Sequence, residues 1–346
     1  VLMENDGTLP LKGTEKIALV GPLADDKKNM AGCWAWVYDE EKNVSIAEGM
    51  GKYFSDMTVA PGFSVDDETV DEKAIDEAVK KASGADIIFA CVGEGNAFAG
   101  EAKSKSNLEF PEEQKMLLEK LFATGKKVVM LVGAGRPLVL TEYKDRAAAI
   151  VYMWQLGVAE GDAVAEVITG RHNPSGHTTV SFPRTTGQVP VYYNHYSTGR
   201  PPLGKVHYEA KYMDCPIGAL YPFGKSYTEF EYSDLELSSD KMTTDGMIKV
   251  SVTVKNTGSF DGADVVQLYT RDLFGSRVRP VAELKGYKKL FLKKGESERI
   301  TFDLYAKDLA FTNDEMKKVT EPGDFKLWIA HDSDDKSLEA SFEVTE

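Results

Sequence analysis

Apolar residues in the first half of the chain fall into short unbroken blocks. Ile17-Ala18-Leu19-Val20 stops at Gly21-Pro22, and Asp86 to Gly93, Lys127 to Gly133 and Ala149 to Trp154 follow the same form. Blocks without polar alternation suit strands buried on both faces. Between them, Val70, Ala74, Ile75, Ala78, Val79 and Ala82 recur at helical spacing. Met116, Leu117, Leu118, Leu121 and Phe122 do so after Pro111, which suits a first helical turn. Ala163, Val164, Val167 and Ile168 make a third helix, closed by Gly170. Strand-helix alternation of this kind predicts an α/β domain built on a mostly parallel sheet.

Later in the chain the period becomes two. Ile248, Val250, Val252 and Val254 alternate with polar residues up to the turn Asn256-Thr257-Gly258. Val266, Leu268 and Thr270 alternate likewise, as do Ile300, Phe302 and Leu304, and finally Leu338, Ala340, Phe342 and Val344. Short alternating strands separated by turn signals predict a β-sandwich. Before them lies a stretch rich in Pro, Gly, Tyr and His, including Tyr192, Tyr193, His195, His207, Tyr208 and Tyr212. So aromatic a segment reads as a packed connector rather than a flexible linker. The domains expected are 1–197, α/β; 198–228, connector; and 229–346, all-β.

Composition narrows the function. The 346 residues carry 41 basic and 55 acidic side chains, a formal charge of −14 that opposes nucleic acid and anionic membrane surfaces as partners. No run of about 20 apolar residues is present to span a bilayer. Cys33, Cys91 and Cys215 are too scattered for a disulfide scaffold or zinc knuckle, and unpaired thiols favour a reducing cytoplasmic setting over a periplasmic or secreted one. The apolar opening, with Leu2, Met3, Leu9 and Leu11 and no initiator Met, reads as the interior of a longer polypeptide; the alternative is processing of the terminus.

The strongest chemical signal is the segment Gly93-Glu94-Gly95 through Gly100-Glu101-Ala102-Lys103-Ser104-Lys105, which leaves a predicted strand. Ligands of open α/β sheets bind beyond the carboxyl ends of strands. A carboxylate at Glu94 or Glu101 is therefore a candidate catalytic or binding group, against the plainer reading of a solvated connector. Gly93-Glu94-Gly95 and Gly133-Ala134-Gly135 each follow a strand, but neither completes a dinucleotide fingerprint and no phosphate loop occurs. The five histidines show no metal spacing. No cofactor or metal is expected. Asp332 to Asp335 reads as a solvated turn.

In order and spacing, these segments resemble the C-terminal two-thirds of family 3 glycoside hydrolases of the three-domain bacterial β-glucosidase type. Ile17 to Asp25 is similar to the first strand of the family's α/β-sandwich domain. Gly93-Glu94 through Gly100-Glu101-Ala102, with Leu108, Pro111 and Gln114, is similar to its acid/base loop and the helix after it. Asn173-Pro174-Ser175-Gly176, Ser181-Phe182-Pro183 and Gly187 to Tyr193 resemble that domain's end. Tyr221-Pro222-Phe223-Gly224 and Ser226-Tyr227-Thr228 resemble the connector. Asn256-Thr257-Gly258, Gly262, Val265 to Tyr269, Arg279-Pro280 and Glu283 to Tyr287 resemble the fibronectin type III-like domain.

The resemblance implies retaining hydrolysis of β-glucosides by two carboxylates: a nucleophilic Asp on an N-terminal barrel and a general acid/base Glu on the α/β domain. Position in the Gly-Glu-Ala segment assigns that Glu to Glu101, with Glu94 the rival. Phe98 is expected to line the aglycone side, and Lys105 to bind substrate where the family usually carries Arg, replacing a bidentate fork by a point charge. The connector Phe223-Gly224-Lys225-Ser226-Tyr227 is shorter than the family form. The expected partners are a barrel domain or chain, absent from these residues, and a β-glucoside or oligosaccharide. The competing expectation is a non-catalytic carbohydrate-binding or scaffold module.

Overall fold

The computed structural model describes residues 1–36, 39–66, 70–197, 214–216, 218–221 and 223–346. Contacts divide the chain into two units, one of residues 1–174 with 182–189 and one of residues 175–181 with 190–346.

The first unit is built on six strands: β1 (Leu2–Asn5), β2 (Ile17–Val20), β3 (Met57–Ala60), β4 (Ile87–Gly93), β5 (Lys127–Gly133) and β6 (Ala149–Tyr152). Their order in the sheet is β1-β6-β5-β4-β2-β3. Every pairing is parallel except that of edge strand β1 with β6. All seven residues of β4 are buried, as its unbroken apolar block demands. The helices are α1 (Ile46–Met50), α2 (Glu72–Ala82), α3 (Glu112–Ala123) and α4 (Glu160–Ile168). α2 and α3 pack on each other and against the sheet, while α1 packs on α4. From β2 the chain runs outward to β3 on one side, and from β4 outward to β5 and β6 on the other. The switch point between β2 and β4 opens the crevice where such sheets bind ligands.

The mostly parallel α/β sheet is thus as the hydrophobic blocks predict. Two edge strands escape the sequence reading. β1 is too short and too near the chain start to show a period, and β3, Met-Thr-Val-Ala, is half-buried with one fully buried residue. Val70 lies outside α2 and is exposed. Pro111 stands just before α3 rather than in its first turn.

The second unit is a β-sandwich of β7 (Phe230–Leu237), β8 (Lys241–Thr243), β9 (Met247–Asn256), β10 (Gly262–Asp272), β11 (Glu283–Leu292), β12 (Ser297–Tyr305), the short pair β13 (Phe311–Thr312) and β14 (Lys318–Val319), β15 (Gly323–Ala330) and β16 (Glu339–Thr345). Its two main sheets run β11-β10-β15-β16-β8 and β12-β9-β7. The alternating residues Ile248, Val250, Val252 and Val254 meet Val266, Leu268, Ile300, Leu327 and Phe342 in one core. Tyr269 and Trp328 stack with ring centroids 5.6 Å apart, and Tyr193 sets its edge against Tyr269.

Where the sequence suggests an end of the first domain at residue 197, the contacts assign residues 175–181 and those from 190 on to the second unit. A hydrogen bond from His177 ties the first segment to β10. Asp264 is buried in β10, with Oδ1 3.0 Å from His177 Nε2 and Oδ2 2.8 Å from His331 Nδ1. Most of the 198–228 connector, His207, Tyr208 and Tyr212 included, lies outside the described residues. In the aromatic stretch before it, Tyr192, Tyr193, His195 and Tyr196 are exposed, although Tyr193 sets its ring against Tyr269. Asp332 does form a turn, accepting from the amides of Asp334 and Asp335, but it is buried rather than solvated.

Candidate active site

The site is built where β4 and β5 end side by side. Gly93 and Gly133 face each other in register, and a Cβ on Gly93 would stand 1.7 Å from the Gly133 carbonyl oxygen. The first glycine of each pair that fails as a nucleotide motif therefore serves close strand packing. Gln114, at the start of α3, fixes the same peptide: Gly93 N–H donates to its Oε1 (2.8 Å), and its Nε2 donates to Gly93 O (2.9 Å). The segment carrying the candidate carboxylates thus leaves the sheet from a fixed point.

Glu94 is the first residue beyond that point, and its side chain is only 1% exposed. Lys105 Nζ donates to its Oε1 at 3.0 Å and Arg136 Nε to its Oε2 at 3.2 Å. Both carboxylate oxygens are committed to cations. The Arg136 guanidinium also donates to the carbonyls of Phe98 and Lys103 (3.0 Å to the latter). Arg136 is held in turn by Tyr152 at the end of β6, whose hydroxyl donates to the Arg136 carbonyl and accepts from Leu138 N–H. Burial pushes the Tyr152 phenol well above its ordinary range, so it serves as a neutral hydrogen-bonding post.

Glu101 is placed oppositely. It lies exposed in a turn closed by Lys103 N–H donating to Gly100 O (3.2 Å). Gly100 has φ +132° and Ala102 φ +58°, so the turn uses two left-handed residues. Among the described residues, no hydrogen bond or ion pair holds the Glu101 carboxylate. Phe98 is half-buried rather than exposed, with Lys105 Nζ 5.8 Å from its ring centroid. Lys105 is occupied by Glu94 and by that ring. The structure thus brings Glu94, Phe98 and Lys105 together as the base of a loop and leaves Glu101 at its tip.

Other residues at the switch point escape the sequence reading. Asp26 and Asn29, on the segment after β2, line a small cleft with Glu94, Trp154, Gln155 and Glu160. Asn29 Oδ1 accepts from Asn96 N–H at 2.7 Å, tying the β2 and β4 loops together. Cys33 abuts Gly100, where a Cβ would come within 2.4 Å of its Sγ, and the adjoining Trp34 and Trp36 are 70% and 96% exposed. Burial pushes the Glu160 carboxyl up to about 7, with the nearby Asp26 charge adding to it. The one sequence signal for Arg136 is its place directly after Gly133-Ala134-Gly135, at the end of the strand beside β4.

Residues 1–227 match the family model described as the glycosyl hydrolase family 3 C-terminal domain. The chain belongs to glycosyl hydrolase family 3. Residues 264–333 match a fibronectin type III-like domain, the assignment expected of the β-sandwich. Within the family, the chain is 40% identical to a periplasmic beta-glucosidase of Salmonella typhimurium, over 99% of this chain and 48% of that protein. It is 35% identical to a putative beta-xylosidase of Formosa agariphila, over 97% of this chain and 44% of the relative. The solved structure of a Listeria innocua beta-glucosidase in complex with gluconolactone superposes with a TM-score of 0.94 at 35% identity, covering all of this chain and 48% of that one. The chain thus spans about half the length of these family 3 relatives and corresponds to their C-terminal part.

Proposed function

We propose that the chain is the C-terminal portion of a retaining β-glucosidase, with Glu101 its general acid/base. The observation that carries the reading is the contrast between the two loop carboxylates. Glu94 is buried with both oxygens bound to cations, whereas Glu101 stands exposed at a turn with no carboxylate partner among the described residues. A proton donor has to come within hydrogen-bond reach of the glycosidic oxygen, and of the two loop carboxylates Glu101 is the one free to do so.

The chemistry divides between two carboxylates. Protonated Glu101 gives its proton to the leaving oxygen while an Asp of the barrel domain forms a bond to the anomeric carbon. The Glu101 carboxylate then takes a proton from the water that releases the sugar. The half-buried Phe98 and the exposed rings of Trp34 and Trp36 offer apolar faces to the aglycone side. Without the barrel the chain supplies one carboxylate of the pair and is inactive alone.

The test mixes the chain with a family 3 barrel chain and follows nitrophenol release from an aryl β-glucoside. Activity of the mixture and of neither part is expected. Glu101→Ala should abolish turnover of poor leaving groups, spare activated ones and respond to azide. A folded complex without activity, or Glu94→Ala behaving in this way instead, overturns the assignment.

A further inference from the structure

We propose that Arg136 is the positioning residue of the acid/base, a clamp across the neck of the turn that carries Glu101. The inference rests on the reading of Glu101 as that group. The guanidinium is bound on two sides. Its Nε faces Glu94 Oε2, and one terminal nitrogen donates to both Phe98 O and Lys103 O, three residues before and two after Glu101. Removing it leaves two carbonyls without their shared donor and opens the neck.

The turn needs such a clamp. Ala102 occupies the left-handed region, where the Cβ of an L-residue crowds the backbone. Gly100 takes φ +132° against Cys33, a conformation open to glycine, so the strain of the tip lies at Ala102. Among the described residues the Glu101 side chain has no tether of its own, so its position follows this backbone.

Arginine suits the task for a geometric reason. Its planar fork presents donors in fixed directions, so one side chain meets a carboxylate and two carbonyls together, and a lysine ammonium cannot span the same three acceptors. Lys105 already supplies the point charge to the other oxygen of Glu94. Arg136 is itself placed by the Tyr152 hydroxyl at its carbonyl, so three neighbouring strand ends deliver Glu94, Arg136 and Tyr152 as one frame under the turn.

Arg136→Met and Arg136→Lys test the clamp in two ways. Hydrogen exchange on the chain alone should show loss of protection across residues 95–105, with β4 and α3 unchanged. In the barrel-complemented enzyme, both variants should lower kcat by about 100-fold on poor leaving groups with KM nearly unchanged, as a displaced catalytic group does. Guanidinium ion should restore part of the rate to Arg136→Ala. In the Glu101→Ala background the Arg136 substitutions should cost nothing further, since the clamp acts only through Glu101. If Glu101→Ala shows its leaving-group dependence but the Arg136 variants keep kcat or the protected loop, the clamp is refuted alone. An Arg136 effect that persists in full without Glu101 likewise refutes it. If Glu101→Ala lacks leaving-group dependence, the acid/base reading fails and the clamp's role with it.

Discussion

Gln114 closes both atoms of its side-chain amide on the backbone of Gly93, accepting from the N–H and donating to the carbonyl. Both residues are buried, and the peptide they fix is the one from which the Glu94–Lys105 loop departs.

Gln114→Ala strips that peptide of both partners at a site closed to water. Each buried group left unsatisfied costs roughly 1–3 kcal/mol, so with two such groups the variant should lose about 2–6 kcal/mol. Urea unfolding of the chain measures it. A loss below about 1 kcal/mol would show that water takes the amide's place.

The two loop carboxylates should separate in stability as they do in exposure. Glu94→Ala leaves Arg136 and Lys105 facing each other without their counter-charge, and breaking such a buried pair costs about 3 kcal/mol, less where the cations remain partly wet. Glu101→Ala removes an exposed carboxylate and should fall within about 0.5 kcal/mol of the parent. Paired thermal melts of the two variants decide this.

Glu160 makes stability depend on pH. Burial raises its folded pKa to about 7, above the roughly 4.3 of an unfolded Glu. The folded state therefore holds the proton more tightly, and stability falls as pH rises from about 4.3 until the group is ionised above 7. Glu160→Gln should accordingly match the parent near pH 4 and exceed it at pH 8, by up to about 3 kcal/mol. A difference that stays constant across that range would contradict the assignment.

The second unit carries a dependence of each sign. Burial pushes the His331 imidazole down, but its hydrogen bond to Asp264 and the carboxylates of Asp264, Asp335 and Asp332 outweigh this and raise it. Its contribution is complete below about pH 6.5 and is lost as pH rises through the raised value. Burial alone would raise Asp264, yet bonds from His177 and His331 hold it well below the usual carboxylate range. That contribution is present above about pH 3.9 and is lost in acid. His331→Gln should flatten the alkaline decline, and Asp264→Asn should remove both arms, read by melts of the chain between pH 3 and 9.

Much of the fold was legible because burial leaves a periodic trace. Strands covered on both faces must be continuously apolar, as β4 is, and strands covered on one face must alternate, as β9 does. β1 and β3 left no trace because an edge strand four residues long needs neither pattern. The loop after β4 was also legible, since position beyond a parallel strand marks a binding crevice before any contact is known.

The sequence by itself determined the two fold classes, the family likeness and the stretch of chain that bears the chemistry, because those follow from local periodicity and residue order. It favoured Glu101 over Glu94 only through the family likeness, since both are glutamates beside glycine on one loop. Their difference lies in what comes near from elsewhere. Arg136 arrives from the next strand end, 42 residues along the chain, and with Lys105 closes Glu94 in a buried ion cluster. Only the parallel register that sets Gly93 beside Gly133 decides that meeting, because a sheet brings together residues that chain order keeps apart.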